Sequence, residues 1–98
     1  MYTEFVNSTT RTMVLMDIGN LHPPEAVRQY VDHLLTSAAS RIINERKLHL
    51  DANNIADLQL VSMYAAWLYR KRDSGAAMPD MLRAELNDRK VRERTASG

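Results

Sequence analysis

The stretch NIADLQLVSMYAAWLYRKR, residues 54–72, decides the fold. Ile55, Leu58, Leu60, Val61, Met63, Tyr64, Ala65, Ala66, Trp67, Leu68 and Tyr69 cover most of the circumference of a helix. A helix apolar nearly all round is buried on several faces or supplies an interface. Asn53 or Asn54 suits its N-cap, and Asp57 follows Asn54 by three. Arg70, Lys71 and Arg72 close it in the turn where the helix dipole favours cations, and Gly75 lies just beyond. One helix this apolar needs other helices around it, and the flanking segments provide them.

Upstream, Pro24 to about Lys47 carries Val27, Tyr30, Val31, Leu34, Leu35, Ala38, Ala39, Ile42 and Ile43. Their steps of three and four make an amphipathic stripe. Pro23-Pro24 suits a helix start, with Glu25 in the first turn and Arg46-Lys47 in the last. Ala38 and Ala39 on this helix and Ala65 and Ala66 on the next form small-residue zones that let two helices approach closely. Downstream, Pro79-Asp80 opens a third helix with Met81, Leu82 and Leu86 as its apolar stripe. Past Asn87 that stripe fails, because Val91 falls on the opposite side of the wheel from Leu82. In the N-terminal arm the β-branched run Thr9 to Val14 suits either a strand or a short helix capped by Ser8 or Thr9 and ending near Gly19; a lone strand would have no partner, so the helix is favoured. The fold class is therefore all-α. The expected architecture is a small bundle of two long antiparallel helices, a short C-terminal helix and a short N-terminal element. Residues 1–21 form the arm, 22–89 the helical domain and 90–98 a flexible tail. The expected core is Leu34, Leu35, Ile42, Leu58, Val61, Ala65, Leu68, Leu82 and Leu86.

Ninety-eight residues allow one domain with a modest core. The chain has no cysteine, which excludes disulfides, thiolate-ligated metals and thiol catalysis, and which fits a reducing compartment. Basic and acidic residues nearly cancel at a net charge of +1, so no global field draws the protein to nucleic acid. No apolar run approaches the ~20 residues that span a bilayer. His22, His33 and His49 lack the spacing that puts two ligands on one helix face, and no glycine-rich phosphate loop exists. The carboxylates are scattered and mostly beside basic residues. An enzyme is not expected.

Two basic clusters remain, Arg70-Lys71-Arg72 and the run Arg83, Arg89, Lys90, Arg92, Arg94. They read either as phosphate contacts or as a dipole-matched helix end followed by a charge-paired helix. A helix-turn-helix needs a turn of about 3–4 residues, and the connectors here are longer.

From Leu60 to Asp73 the chain reads LVSMYAAWLYRKRD, and from Met78 to Arg89, after a small loop, MPDMLRAELNDR. With the long helix before them, these segments resemble the small helical head–tail connector proteins of tailed bacteriophages and prophages, also described as DNA-packaging or head-completion adaptors. The resemblance covers roughly Pro24 to Arg89, is clearest from Leu60 onward, and lies in helix order and a few hydrophobic positions. The N-terminal arm departs from the short acidic first helix usual in that family. The resemblance implies structural work: a ring beneath the portal that extends the DNA channel and docks the next tail-side component. It implies as partners the portal protein, a tail-side connector or stopper protein and further copies of the chain, with DNA nearby but not bound specifically. No cofactor, small-molecule substrate or membrane enters it. The implied location is the head–tail junction of the virion, and the bacterial cytoplasm during assembly. The candidate interface residues are Tyr64, Trp67, Tyr69, Arg70, Lys71, Arg72, Arg89, Lys90, Arg92 and Arg94. The rival reading is a small helical nucleic-acid-binding or regulatory protein of a mobile element.

Overall fold

The computed structural model describes residues 2–97. A 3-10 turn, Thr3–Phe5, precedes four helices: α1 (Ser8–Ile18), α2 (Glu25–Asn44), α3 (Ile55–Ser74) and α4 (Asp80–Ser97). There is no strand among the described residues. The fold is the all-α bundle that the apolar periodicity demands.

The N-terminal arm is part of this bundle. Its N-cap is Asn7, one residue before the expected Ser8 or Thr9. The Asn7 carboxamide accepts the Thr10 N–H at 3.0 Å, and the Thr10 hydroxyl oxygen accepts the Asn7 N–H at 3.1 Å. This reciprocal box satisfies two donors that a helix start leaves open. The Thr10 hydroxyl donates in turn to the Phe5 carbonyl at 2.7 Å, so a fully buried threonine has its polar atom paired. Gly19, at φ +76°, ends the helix in the left-handed conformation, as expected. Phe5 and Val14 are buried with the main core.

In α2 the buried stripe is Val31, Leu34, Leu35, Ala38, Ala39 and Ile42. The helix stops at Asn44 rather than Lys47. Lys47 takes a left-handed φ of +60°, which turns the chain back so that Leu48 enters the core. The linker to α3 is consequently longer than the sequence suggested.

Helix α3 is the centre of the molecule. It packs against α1, α2 and α4, which explains an apolar surface on most of its circumference. Asn54 caps it by accepting the Ala56 and Asp57 N–H groups at 2.9 and 3.4 Å. Ala38, Ala39, Ala65 and Ala66 are all fully buried, as expected where two long helices pack closely. Of the nine expected core residues, eight are buried; Leu68 is half-buried and packs against the core from its edge.

The C-terminal helix is not short. It continues past Arg89 to Ser97, through the segment expected to be a tail from Lys90. The reason lies in the stripe that Leu82 and Leu86 begin. Steps of three and four carry it on to Arg89 and Glu93, so the inward face changes from apolar to polar rather than ending.

Candidate functional site

The candidate interface residues fall into two groups, one around the C-terminal end of α3 and one along α4. At the end of α3 the aromatics form the floor. Tyr64 and Trp67 are 3% and 9% exposed, so both belong to the core and not to an accessible interface. Their rings meet edge to face with centroids 5.3 Å apart, a favoured aromatic geometry. The Trp67 indole N–H donates to the Ala76 carbonyl at 3.0 Å and ties α3 to the loop that leads into α4. Tyr69 is half-buried and meets Tyr30 of α2 at 6.0 Å.

Each of the three cations above this floor is engaged within the chain. Arg70 donates to both the backbone carbonyl and the carboxylate of Asp17, and so fastens α3 to the last turn of α1. Lys71 places its ammonium 4.9 Å from the Trp67 ring centroid. Arg72 lies 4.7 Å from the Tyr30 ring and 5.2 Å from that of Tyr69. Its guanidinium also meets the Asp73 carboxylate at 3.2 Å, and that hydrogen bond raises its pKa above the ordinary arginine value. Cation–π pairs of this kind hold a cation in place by the attraction of the ring's negative face.

Along α4, Arg89 is the residue that organises its surroundings. Its guanidinium pairs with the Asp57 carboxylate in the first turn of α3, and also donates to the His49 carbonyl at 3.0 Å. Only 15% of the Arg89 side chain and 6% of Asp57 is exposed. The second Asp57 oxygen accepts the Asp51 N–H at 2.7 Å. Around this pair, Glu93 accepts the His49 N–H at 2.6 Å and Lys90 donates to the Arg46 carbonyl at 3.1 Å. The outer half of α4 is thereby clasped to the α2–α3 linker through polar groups. Arg92 borders the shallow hollow beside this clasp, with Asn54, Ala56 and Glu93. Arg94 lies on the exposed side one turn further on.

The ten candidates thus do not form one surface. Two are core, one is half-buried, three are held at the end of α3 and four follow α4. Asp57, the partner that makes Arg89 structural, was absent from the candidates. Its signal was present: it is the one acidic residue in the apolar stretch 54–72, and Arg89 sits seven residues after Leu82 on the same stripe. The three histidines are exposed. A further hollow of about 240 Å³ lies between α1 and the start of α2, with Leu15, Leu21 and Val31 below and Arg11 and Arg28 at its rim. Arg11 is held there by a bidentate bond to Asp32 at 2.7 and 3.1 Å.

Comparison with protein-family models, characterised proteins and solved structures finds no match to this chain. No helix of the described residues is long and apolar enough to cross a membrane.

Proposed function

We propose that this chain is a structural subunit of the head–tail connector of a tailed bacteriophage or prophage. It forms a ring under the portal, extends the DNA channel and docks tail-side components. The observation that carries this reading is the corner between α3 and α4. The residues through which the chain resembles that family are the ones that build the corner. Trp67 holds the loop through the Ala76 carbonyl, and Gly75 turns the chain at φ +64°. Pro79 accepts the first α4 bond, from the Arg83 N–H at 3.0 Å, and Leu82, Leu86 and Arg89 seat the helix. A motif that fixes the angle of α4 against the bundle suits an assembly component.

Two further features support the same role. Apart from Leu82 and Leu86, α4 has no fully buried side chain among its described residues, so most of its surface is left for neighbours. The cations at the end of α3 are each engaged internally, which suits a channel wall that passes DNA without gripping phosphate. Single lateral contacts between such small subunits are weak, and a portal that templates many of them at once supplies the avidity.

The test is electron microscopy of the protein mixed with its cognate portal. A ring of the protein stacked on the portal is expected, weakened by deletion of residues 90–98. The reading fails if the two do not associate at any concentration while a phage lacking the gene still forms complete tails.

A further inference from the structure

On the side of α3 between α1 and α4, two hollows of about 260 and 210 Å³ adjoin and share Gln59 and Met63. The first is bordered by Met13 and Asp17 of α1, the second by Met81 and Glu85 of α4. Three methionines from three different helices therefore line one groove. Met81 is 72% exposed, and Met13 and Met63 are half-buried. Methionine side chains are flexible and polarizable, and they favour surfaces that mould to an apolar partner. The charge of the groove is uneven. Asp17 is neutralised by Arg70, whereas Glu85 has no ion-pair partner among the described residues. Asp88, three residues after Glu85 and seven after Met81, continues that face of α4 just beyond the groove and also has no ion-pair partner among the described residues. The α4 wall is thus acidic beside its methionine, and the α1 wall is neutral.

We propose that this groove receives an amphipathic helix whose apolar face is flanked by lysine or arginine on the side that meets α4. An apolar stripe at i, i+3/i+4 and i+7 fits a groove floored by one helix and walled by two others. Glu85 in the α4 wall, with Asp88 beyond it, sets which flank of the partner is basic, since opposite charges orient an encounter and like charges block it. The groove is independent of the connector reading and stands whether or not the chain meets a portal.

The experiment uses the full chain labelled with ¹³C at its methionine methyls. It is titrated with a synthetic 18-residue helix of leucine face and lysine flanks, and with a twin carrying glutamate in place of lysine. The lysine peptide should shift the Met13, Met63 and Met81 methyls at about 10–100 μM and leave Met78, which packs near Arg46 on another part of the surface, unmoved. The glutamate twin should bind at least about tenfold more weakly. The exposed substitution Glu85→Lys, checked for an unchanged thermal melt, should weaken the lysine peptide about fivefold or more. Met81→Ala, also exposed, provides a second variant with the same expected direction. Absence of methyl shifts up to millimolar peptide overturns the proposal. So does equal binding of the two peptides, or a Glu85→Lys variant that binds as the parent does. Shifts that appear on concentrating the protein alone assign the groove to a second copy and overturn it too.

Discussion

Replacing Arg89 by methionine should destabilise this domain far more than removing a bidentate ion pair at its surface. The contrast is internal to the molecule. Arg11–Asp32 is bidentate at 2.7 and 3.1 Å, but its side chains are 44% and 37% exposed. Water screens such a pair, and Arg11→Ala should cost about 0–1 kcal/mol. Arg89 and Asp57 are 15% and 6% exposed. Arg89→Met keeps most of the packing volume but leaves the Asp57 carboxylate in a dry setting with only the Asp51 N–H bond retained. An uncompensated buried charge costs about 3–5 kcal/mol. For a domain whose whole stability is about 5–15 kcal/mol, that is a large fraction. With roughly 4–8 °C of melting temperature per kcal/mol at this size, the melt should fall by at least about 12 °C. Urea unfolding of Arg89→Met, Asp57→Ala and the double variant, followed by circular dichroism, completes the cycle. A coupling energy of about 1.5–3 kcal/mol is expected, with the double variant more stable than the two single losses added together. If Arg89→Met costs less than about 1 kcal/mol and matches Arg11→Ala, the buried pair does not hold α4 and the account of that helix fails.

Other parts of the fold make separate predictions. Leu58→Ala, at a buried site, should cost about 2–5 kcal/mol in the same assay, and Leu68→Ala, at a half-buried one, clearly less; the reverse order would mean the faces of α3 are misassigned. Trp67→Phe should lose about 0.5–1.5 kcal/mol through the Ala76 hydrogen bond and speed amide exchange in residues 75–78. Gly75→Ala meets no atom within 4 Å but must hold φ +64°, so it should cost about 1–2 kcal/mol from backbone strain alone. Duplex DNA should be bound weakly and without sequence preference in a salt titration; tight binding to one sequence at physiological salt would favour a repressor over a connector.

How much of this could be read in advance varied by element, and the reasons are physical. Helices α2 and α3 were legible because their apolar residues recur at 3.6-residue spacing and because Pro24, Asn54 and Gly75 mark their ends. The arm was harder, since Thr9 to Val14 is β-branched and threonine-rich and equally suits a strand. Its helix is decided by tertiary packing of Phe5 and Val14 and by the Asn7–Thr10 box, which depends on side-chain directions. The early end of α2 was not legible at all. Nothing local to Lys47 demands a left-handed residue; Leu48 demands it by entering the core.

The candidate site shows the same division. Aromatic and basic residues at the end of α3 were singled out by type, but type does not say whether a cation is free. Arg70, Lys71 and Arg72 find Asp17, Trp67 and the Tyr30–Tyr69 pair, and of those partners only Trp67 and Tyr69 lie on the cations' own helix. The length of α4 was missed for a related reason. An apolar stripe was required to continue as apolar, so Val91 on the far side of the wheel read as the end of the helix. A stripe can also continue in charge when the facing surface offers a buried countercharge and backbone groups to match. Asp57 and the His49 backbone do so for Arg89 and Glu93. This arrangement stabilises less than leucine would, because desolvating an ion pair offsets much of its attraction. It does, however, fix α4 in one register, since a slip of a single residue would strand both Arg89 and Asp57 without partners.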